Sequence, residues 1–436
     1  MSGFDFYFVF HYFKRVKNEE KKLVAGDHRR IGRDLDLFSF GKGDSAISGS
    51  VFWHPSGWFL FQTILNFLRE KLQHLGYEEI HTPFIFNKKL WQKSGHWDKF
   101  KQRMFFTGSL EDFKIGKPNF ALKPMNCPGQ LAGIYNRKQV SYKDLPLKMA
   151  EFGTVYRDEA PGEVLGLFRL REFTQDDAHV FCTEVQVKAE LKKLIHFCFE
   201  IYETFGLNLD HIELSTKPKD AIGSDEVWVN SEKIMEEVLK EEKVEYKINP
   251  GDGAFYGPKF DFHLKDILGR TWQLGTIQLD FSMPAKDRLD ITYIDKDNKR
   301  KRPVMIHRAI FGSIERFIGV LLEQYEGNLP VWLSPIQIAI LPVSEKFEDL
   351  ATDFSEALVP FRTKIISGAE TVGKRIAESE SQKIPYALVV GEKEAQAIKE
   401  NSDLQIRMRT KGVENMSLSD FKSRVEKNIS DKSLEL

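Results

Sequence analysis

The chain has 436 residues and a mass of 50.5 kDa, room for about two to four domains with a sizeable buried core. Its 63 basic and 64 acidic residues cancel, which excludes a global field pulling it onto nucleic acid or membrane and leaves any RNA contact to local patches. Three cysteines (Cys127, Cys182, Cys198) exclude a disulfide framework and suit a reducing compartment, and no run of about 18 apolar residues is present to span a bilayer. Met1 to His11 is aromatic and apolar, but no basic residue precedes it and no small-residue cleavage site follows, which speaks against a secretory signal. A soluble intracellular protein is expected, in the cytoplasm or, alternatively, a mitochondrial matrix.

Residues 12 to 36 are rich in Lys, Arg and Glu and predict a solvated helix; Gly41 to Ser45 is a loop by its glycines. From Ser56 an amphipathic helix is predicted, with Trp58, Phe61, Leu65, Leu68, Leu72 and Leu75 at steps of three and four, closed by Gly76. Tyr77 to Thr82 then reads as a strand stopped by Pro83. The middle of the chain alternates short apolar runs with Gly/Pro turns, predicting a mixed or antiparallel sheet. Within it, Lys299-Arg300-Lys301-Arg302 reads as a solvated hairpin turn, with a phosphate contact as the alternative. A second helix is expected from Ile314 to Tyr325, ended by Gly327. Beyond Leu329-Pro330 the pattern changes. Strands at Ile336–Pro342, Tyr386–Val390 and Leu404–Met408 alternate with helices at Glu345–Leu358, Thr371–Ser379 and Phe421–Ile429, which describes a small α/β domain. The expected division is a tail and linker helix over 1–36, an α+β domain with an antiparallel sheet over 37–329, and the α/β domain over 330–436.

Four segments carry chemistry. Phe152-Gly153-Thr154-Val155-Tyr156-Arg157-Asp158-Glu159 is followed, after a loop, by Phe168-Arg169-Leu170-Arg171-Glu172-Phe173-Thr174-Gln175-Asp176-Asp177-Ala178-His179. This resembles motif 2 of class II aminoacyl-tRNA synthetases, a strand–loop–strand that holds ATP. His307-Arg308-Ala309-Ile310-Phe311-Gly312-Ser313-Ile314-Glu315-Arg316-Phe317 resembles motif 3. With Lys123-Pro124-Met125-Asn126-Cys127-Pro128-Gly129 and Gly253-Ala254-Phe255-Tyr256-Gly257-Pro258-Lys259, the set is similar to the threonyl-tRNA synthetase family, from Asp27 to roughly Arg409. That resemblance implies ATP-dependent attachment of L-threonine to tRNA-Thr through a threonyl-adenylate, with Mg2+ accompanying ATP.

Amino-acid activation sets a carboxylate against a triphosphate, and planar, permanently charged guanidinium groups suit the charge that develops. The resemblance assigns that work to Arg157, near the α-phosphate, and to Arg316, stacked on adenine. Phe173 falls on the other face of the ring and Glu159 at the adenine amine; Arg169 joins the same ATP set. Gln273, Thr276 and Lys259 fall on the strand and loop that hold ribose and phosphate. Taken singly, any such arginine reads as a surface ion pair. Cys127, His179 and His307 match the family's three Zn2+ ligands; their spacing reveals nothing, since no CxxC or HExxH unit is present, and a buried cysteine with satisfied histidines is the plain alternative. Three protein ligands leave a catalytic, open zinc site, which the amino and hydroxyl groups of threonine would complete. Met125, Gln175, Asp177, Tyr256 and Gln278 match positions that bind threonine. His96, in Ser94-Gly95-His96-Trp97, matches a histidine acting at the tRNA 3′-terminal ribose, where imidazole suits proton relay; otherwise it is a merely exposed loop residue.

In the tail, Glu394 and Arg407 match anticodon readers, with an ordinary surface pair as the alternative. The family also implies a homodimer through the helix from Ser56 and the strand before Pro83. Three positions depart from the family: Gln130 stands for a histidine, Leu274 for a cysteine and Ala369 for an asparagine. The amino-terminal editing domains of many relatives have no counterpart here, so no editing in cis is expected. A paralogue that activates threonine without charging tRNA is the rival reading, and an RNA-binding accessory subunit a third.

Overall fold

The computed structural model describes residues 23–41, 46–116, 119–160, 162–266 and 269–436. The expected glycine loop at 42–45 and most of the predicted amino-terminal helix, up to residue 22, lie outside the described residues. The chain divides into two compact units, one of Phe40–Phe52 with Phe61–Ile318, the other of the described part of Met1–Ser39 with Trp53–Leu60 and Gly319–Leu436.

In the first unit, alternating apolar runs build an eight-stranded sheet. In chain order its strands are β1 (Glu78–Glu79), β2 (Leu147–Tyr156), β3 (Glu172–Cys182), β4 (Leu209–Ser215), β5 (Tyr246–Asn249), β6 (Lys259–Lys265), β7 (Thr271–Asp280) and β8 (Val304–Ala309). Their spatial order is β5-β4-β6-β7-β8-β3-β2-β1. Six central strands pair antiparallel, and only the edge strands β5 and β1 pair parallel. The α+β class with an antiparallel sheet is what the sequence predicts. The sheet is two-faced because side chains alternate along each strand. On β3, Asp176, Ala178 and Val180 point one way, and Gln175, Asp177 and His179 the other.

Two long helices interrupt the segment where the sequence pattern predicts short strands and turns: α1 (Val187–Thr204) and α2 (Asp225–Glu241). The first buries Leu191, Leu194, Ile195, Cys198, Ile201 and Tyr202, a spacing of three and four that the surrounding Gly/Pro signals mask. The second starts at Ser224, whose hydroxyl accepts the Val227 N–H. Phe205, just past α1, packs edge-on against Phe67 and Phe317, with ring centroids 5.2 and 4.8 Å apart. The predicted helix from Ser56 runs over Pro55–His74 and buries Phe61, Leu65, Leu68 and Leu72, while Trp58 and Leu75 at its ends stay largely exposed. The strand expected at Tyr77–Thr82 shortens to Glu78–Glu79, and the basic run 299–302 lies on an exposed hairpin where Lys301 and Arg302 pair with Asp295 and Asp290.

In the second unit a five-stranded sheet has the order Thr363–Ile365, Ile338–Pro342, Tyr386–Val390, Leu404–Met408, Gly412–Met416. Two of its inner strands, Ile338–Pro342 and Tyr386–Val390, carry apolar side chains on both faces. Ile338, Ile340, Leu388 and Ile406 pack with Phe354, Phe421 and Val425, while Ala339, Leu341 and Ala387 pack with Ile366 and Ile384. Burial on both sides is why Ile338–Pro342 and Tyr386–Val390 read as continuous apolar runs in the sequence, whereas Leu404–Met408 alternates, with Gln405 exposed. The polar edge strands and the helix Glu392–Glu400 carry no such signal, and the sequence pattern does not predict them.

Candidate active site

The polar face of the first sheet closes a cavity of about 370 Å³. Gln175 and Asp177 on β3, Thr276 and Gln278 on β7 and His307 on β8 line it, with Met125, Cys127, Arg157, Glu159, Arg169, Phe173, Tyr256, Gln273 and Arg316. Gln273 reaches this face through a register shift between β6 and β7, and its Nε2 donates to Thr276 Oγ1 at 3.0 Å.

Arginines crowd one part of the lining. The Arg157 guanidinium lies 5.0 Å from the centre of the Phe173 ring and donates to the Pro124 carbonyl. Arg316 is anchored by the carbonyls of Phe168 and Gln273, each at 3.0 Å. Burial, then repulsion from Arg157 and Arg169, pulls Arg316 down to about 10. Glu159 is buried and its carboxylate is shared by Arg103 and Arg169. Guanidinium groups that depress one another's charged state define a site that an anion stabilises.

Elsewhere in the lining the chemistry changes. Cys127, His179 and His307 bring one ligand atom each to within 4.8 Å of one another. The two histidines are opposite each other across β3 and β8, and His179 Nε2 lies 2.9 Å from His307 Nδ1. His307 Nε2 is 2.9 Å from Asp280 Oδ2, and His179 Nδ1 is 2.6 Å from Gln130 Oε1. Acceptors on the outward nitrogens call for protons there, so the inward nitrogens face one another as lone pairs, an arrangement a metal cation satisfies. Burial pushes the Cys127 thiol well up, so holding it as thiolate requires such a cation. Beside it, burial raises the Asp177 carboxyl to about 7, and Asn126 Nδ2 donates to it at 3.1 Å. The Tyr256 hydroxyl bonds Gln278, and its ring stacks on His307 with centroids 4.8 Å apart.

Other expected residues sit differently. Lys259 does not line the cavity; its ammonium is paired with Asp252 and Asp261. His96 is fully buried rather than an exposed loop residue, with Nδ1 on Ser94 Oγ at 2.9 Å and Nε2 3.0 Å from Met125 Sδ. Burial lowers its pKa to about 3, so it is a neutral imidazole one side chain behind the lining. In the second unit Glu394 accepts the Gly391 N–H at 3.0 Å and borders a shallow depression with Lys393, Asp403 and Asn415. Arg407 is half-buried on its strand, opposite Ala387 and Val413, and Ala369 is exposed. Leu274 is buried at the cavity wall.

Four acidic or basic residues outside the candidates drawn from sequence hold this arrangement. Asp261, 1 % exposed, accepts from Ser215, Gln273 and Thr276 and so aims the β7 side chains. Asp176 accepts the Ile310 and Phe311 N–H groups at 2.7 and 3.0 Å and ties β3 to the turn after β8. In that turn Gly312 has φ +70°, and a Cβ there would meet the Leu274 carbonyl at 2.6 Å. Asp280 orients His307, and Arg103 pairs Glu159. Alternation on a strand marks such acids as inward-facing, but only the long-range pairing supplies their partners.

Comparison with known proteins bears on this arrangement. The tRNA synthetase class II core domain (G, H, P, S and T) matches residues 112–325, and an anticodon binding domain matches residues 337–428. A crystal structure titled as the RNA binding domain of threonyl-tRNA synthetase from Cryptosporidium parvum superimposes with a TM-score of 0.85 at 38% identity, over 94% of this chain and 99% of that one. The chain belongs to the threonyl-tRNA synthetase family. Threonine–tRNA ligases of Finegoldia magna and Acetivibrio thermocellus are 46% and 45% identical to it over 92% and 97% of its length. The matched regions make up 60% and 64% of those two proteins, so the chain spans about three fifths of the curated relatives it matches. The segments singled out as motifs 2 and 3 of this synthetase family form β2–β3 and β8 with the following helix, Ile314–Gln324. No described helix is long and apolar enough to cross a membrane.

Proposed function

We propose that this chain joins L-threonine to tRNA-Thr in two steps. The threonine carboxylate attacks the α-phosphorus of ATP and releases pyrophosphate; a terminal ribose hydroxyl of the tRNA then attacks the carbonyl and releases AMP. One observation carries the reading: a single cavity is lined both by the guanidinium groups of Arg157, Arg169 and Arg316 and by Cys127 and His307 of the Cys/His/His set. Arg157 takes the charge developing at the α-phosphate, and Arg316 with Phe173 brackets the adenine. Gln273 and Thr276 hold the ribose, Lys259 the phosphates once freed from Asp252, and Mg2+ accompanies the nucleotide. Asp177 in its ionised form holds the threonine ammonium, with Met125, Gln175, Tyr256 and Gln278 around the side chain. Cys127, His179 and His307 hold one zinc ion, which when bound supplies an open coordination position for the amino and hydroxyl groups of threonine. His96 relays the ribose proton once Met125 moves aside from its Nε2, and Glu394 and Arg407 contact the anticodon.

Threonine-dependent pyrophosphate exchange and charging of tRNA-Thr, measured on the purified chain, are both expected. Exchange without charging would mark a paralogue that only activates threonine; absence of both would overturn the reading. Serine lacks one methyl, which a pocket distinguishes by only about 10–200-fold. We propose accordingly that the chain forms Ser-tRNA-Thr at a measurable rate, checked by charging tRNA-Thr with serine in place of threonine. A homodimer is also proposed; Phe84 and Ile85, beside Pro83, are exposed apolar residues on the expected face, and light scattering at micromolar concentration decides it.

A further inference from the structure

We infer that Gln130 is a positioning residue that fixes the tautomer of His179 and thereby sets the affinity of the Cys127–His179–His307 site for zinc. The inference rests on the zinc reading above and goes beyond it. Gln130 is fully buried, and its side-chain amide spans two partners: Nε2 lies 3.1 Å from Glu151 Oε2 and Oε1 lies 2.6 Å from His179 Nδ1.

The two ends of an amide look alike, so its orientation must follow from its partners. Glu151 leaves no choice. Its carboxylate is bound to the ammonium of Lys123 at 2.8 Å, with neither side chain exposed, and it accepts the N–H and the hydroxyl of Thr82 at 2.8 and 2.9 Å. A carboxylate so paired only accepts, so the NH2 of Gln130 faces it and the carbonyl oxygen faces His179. An amide oxygen also only accepts. His179 therefore carries its proton on Nδ1, and Nε2 presents a lone pair toward His307 and Cys127. The orientation of a metal ligand is set, through one amide, by a buried Lys–Glu pair. Leucine at position 130 would fill the space and remove the acceptor. The imidazole would then populate both tautomers, one of which turns an N–H toward the metal. An imidazole at position 130 would restore the relay, since it donates from one nitrogen and accepts at the other.

Zinc affinity is measured by competition with a chelator, independently of catalysis. Gln130→Leu is expected to bind zinc about 10–100-fold more weakly than wild type, the usual cost of losing a partner behind a ligating histidine. Gln130→His should recover most of that loss. Cobalt at saturation should still give the thiolate charge-transfer band of Cys127 in the leucine variant, showing that the site assembles and only its affinity has fallen. Equal affinity in wild type and Gln130→Leu, or a histidine variant as weak as the leucine one, would overturn the inference. Nitrogen-15 NMR of the metal-free protein reads the tautomer itself: His179 should be protonated on Nδ1 in wild type and mixed in Gln130→Leu. An Nε2-protonated His179 in wild type would overturn the inference even if zinc binds. A wild type that binds no zinc but shows the Nδ1 tautomer would instead remove the zinc reading and leave the positioning role of Gln130 standing.

Discussion

Arg157, Arg316 and Asp177 in the first unit and Glu394 and Arg407 in the second unit are all charged residues, yet they are held in different ways. The first three line a common cavity, and burial displaces the titration of each from its ordinary value. Glu394 instead satisfies the first turn of its own helix, and Arg407 lies half-buried on a strand between an alanine and a valine. Removing charge from water costs several kcal/mol unless something repays it. A crowded set of buried charges is therefore held in place for a ligand, whereas the buried Glu394 is already satisfied by the first turn of its own helix and the half-buried Arg407 keeps access to water. The contrast teaches where a resemblance can be tested by geometry: in the catalytic unit the neighbours constrain the assignment, and in the second unit only the RNA would.

Variants can break or sharpen that contrast. The largest effect is expected for Arg157→Ala, which removes a guanidinium from developing charge; threonine-dependent pyrophosphate exchange should fall by about 100-fold or more, near 3 kcal/mol. A fall of less than about tenfold would remove Arg157 from the reaction. His96→Asn should leave exchange nearly intact and slow transfer to tRNA by about a hundredfold. Equal loss in both steps would make His96 a packing residue between Ser94 and Met125.

The same variant has a pH signature. Folded His96 titrates near 3, while an unfolded histidine titrates near 6.5, so between those values only the unfolded chain takes up the proton. Stability present above pH 6.5 is thus lost as pH falls toward 3, and His96→Asn should flatten that acid limb in urea unfolding. Cys127→Ser should lose the zinc equivalent measured in chelator-washed protein; full retention of zinc would sink the ligand assignment. The smallest change is expected for Glu394→Ala and Arg407→Ala. Exchange should be unaltered, and the KM for tRNA in charging should rise by about tenfold, about 1.4 kcal/mol, at the lower end of the about 1–3 kcal/mol that one base-edge contact is worth. An effect of either variant on exchange would contradict their separation from activation.

The amino-acid sequence by itself determined the local structure wherever one residue pattern dominates. The helix Pro55–His74 follows from apolar residues at steps of three and four, and the strand Tyr386–Val390 from five consecutive apolar residues, nearly all of them buried. The α+β class and the motif strands β2, β3 and β8 were likewise readable in the chain. Where polar residues mask the pattern, as in α1, α2 and the edge strands, local structure was not readable. Tertiary structure alone decided the site. His179 and His307 are 128 residues apart and meet because β3 and β8 pair in a register that sets them opposite. Gln130, which in sequence is only a departure from the family, becomes the partner of His179, and Asp261, unremarked in sequence, gathers Gln273 and Thr276. His96, expected in an exposed loop unless it acts on tRNA, is buried because Trp91 and Phe255 pack edge-on against its ring. The physical reason is the same in each case: a hydrogen-bond partner or a desolvated charge is a property of two or more distant segments brought together, and no local pattern encodes it.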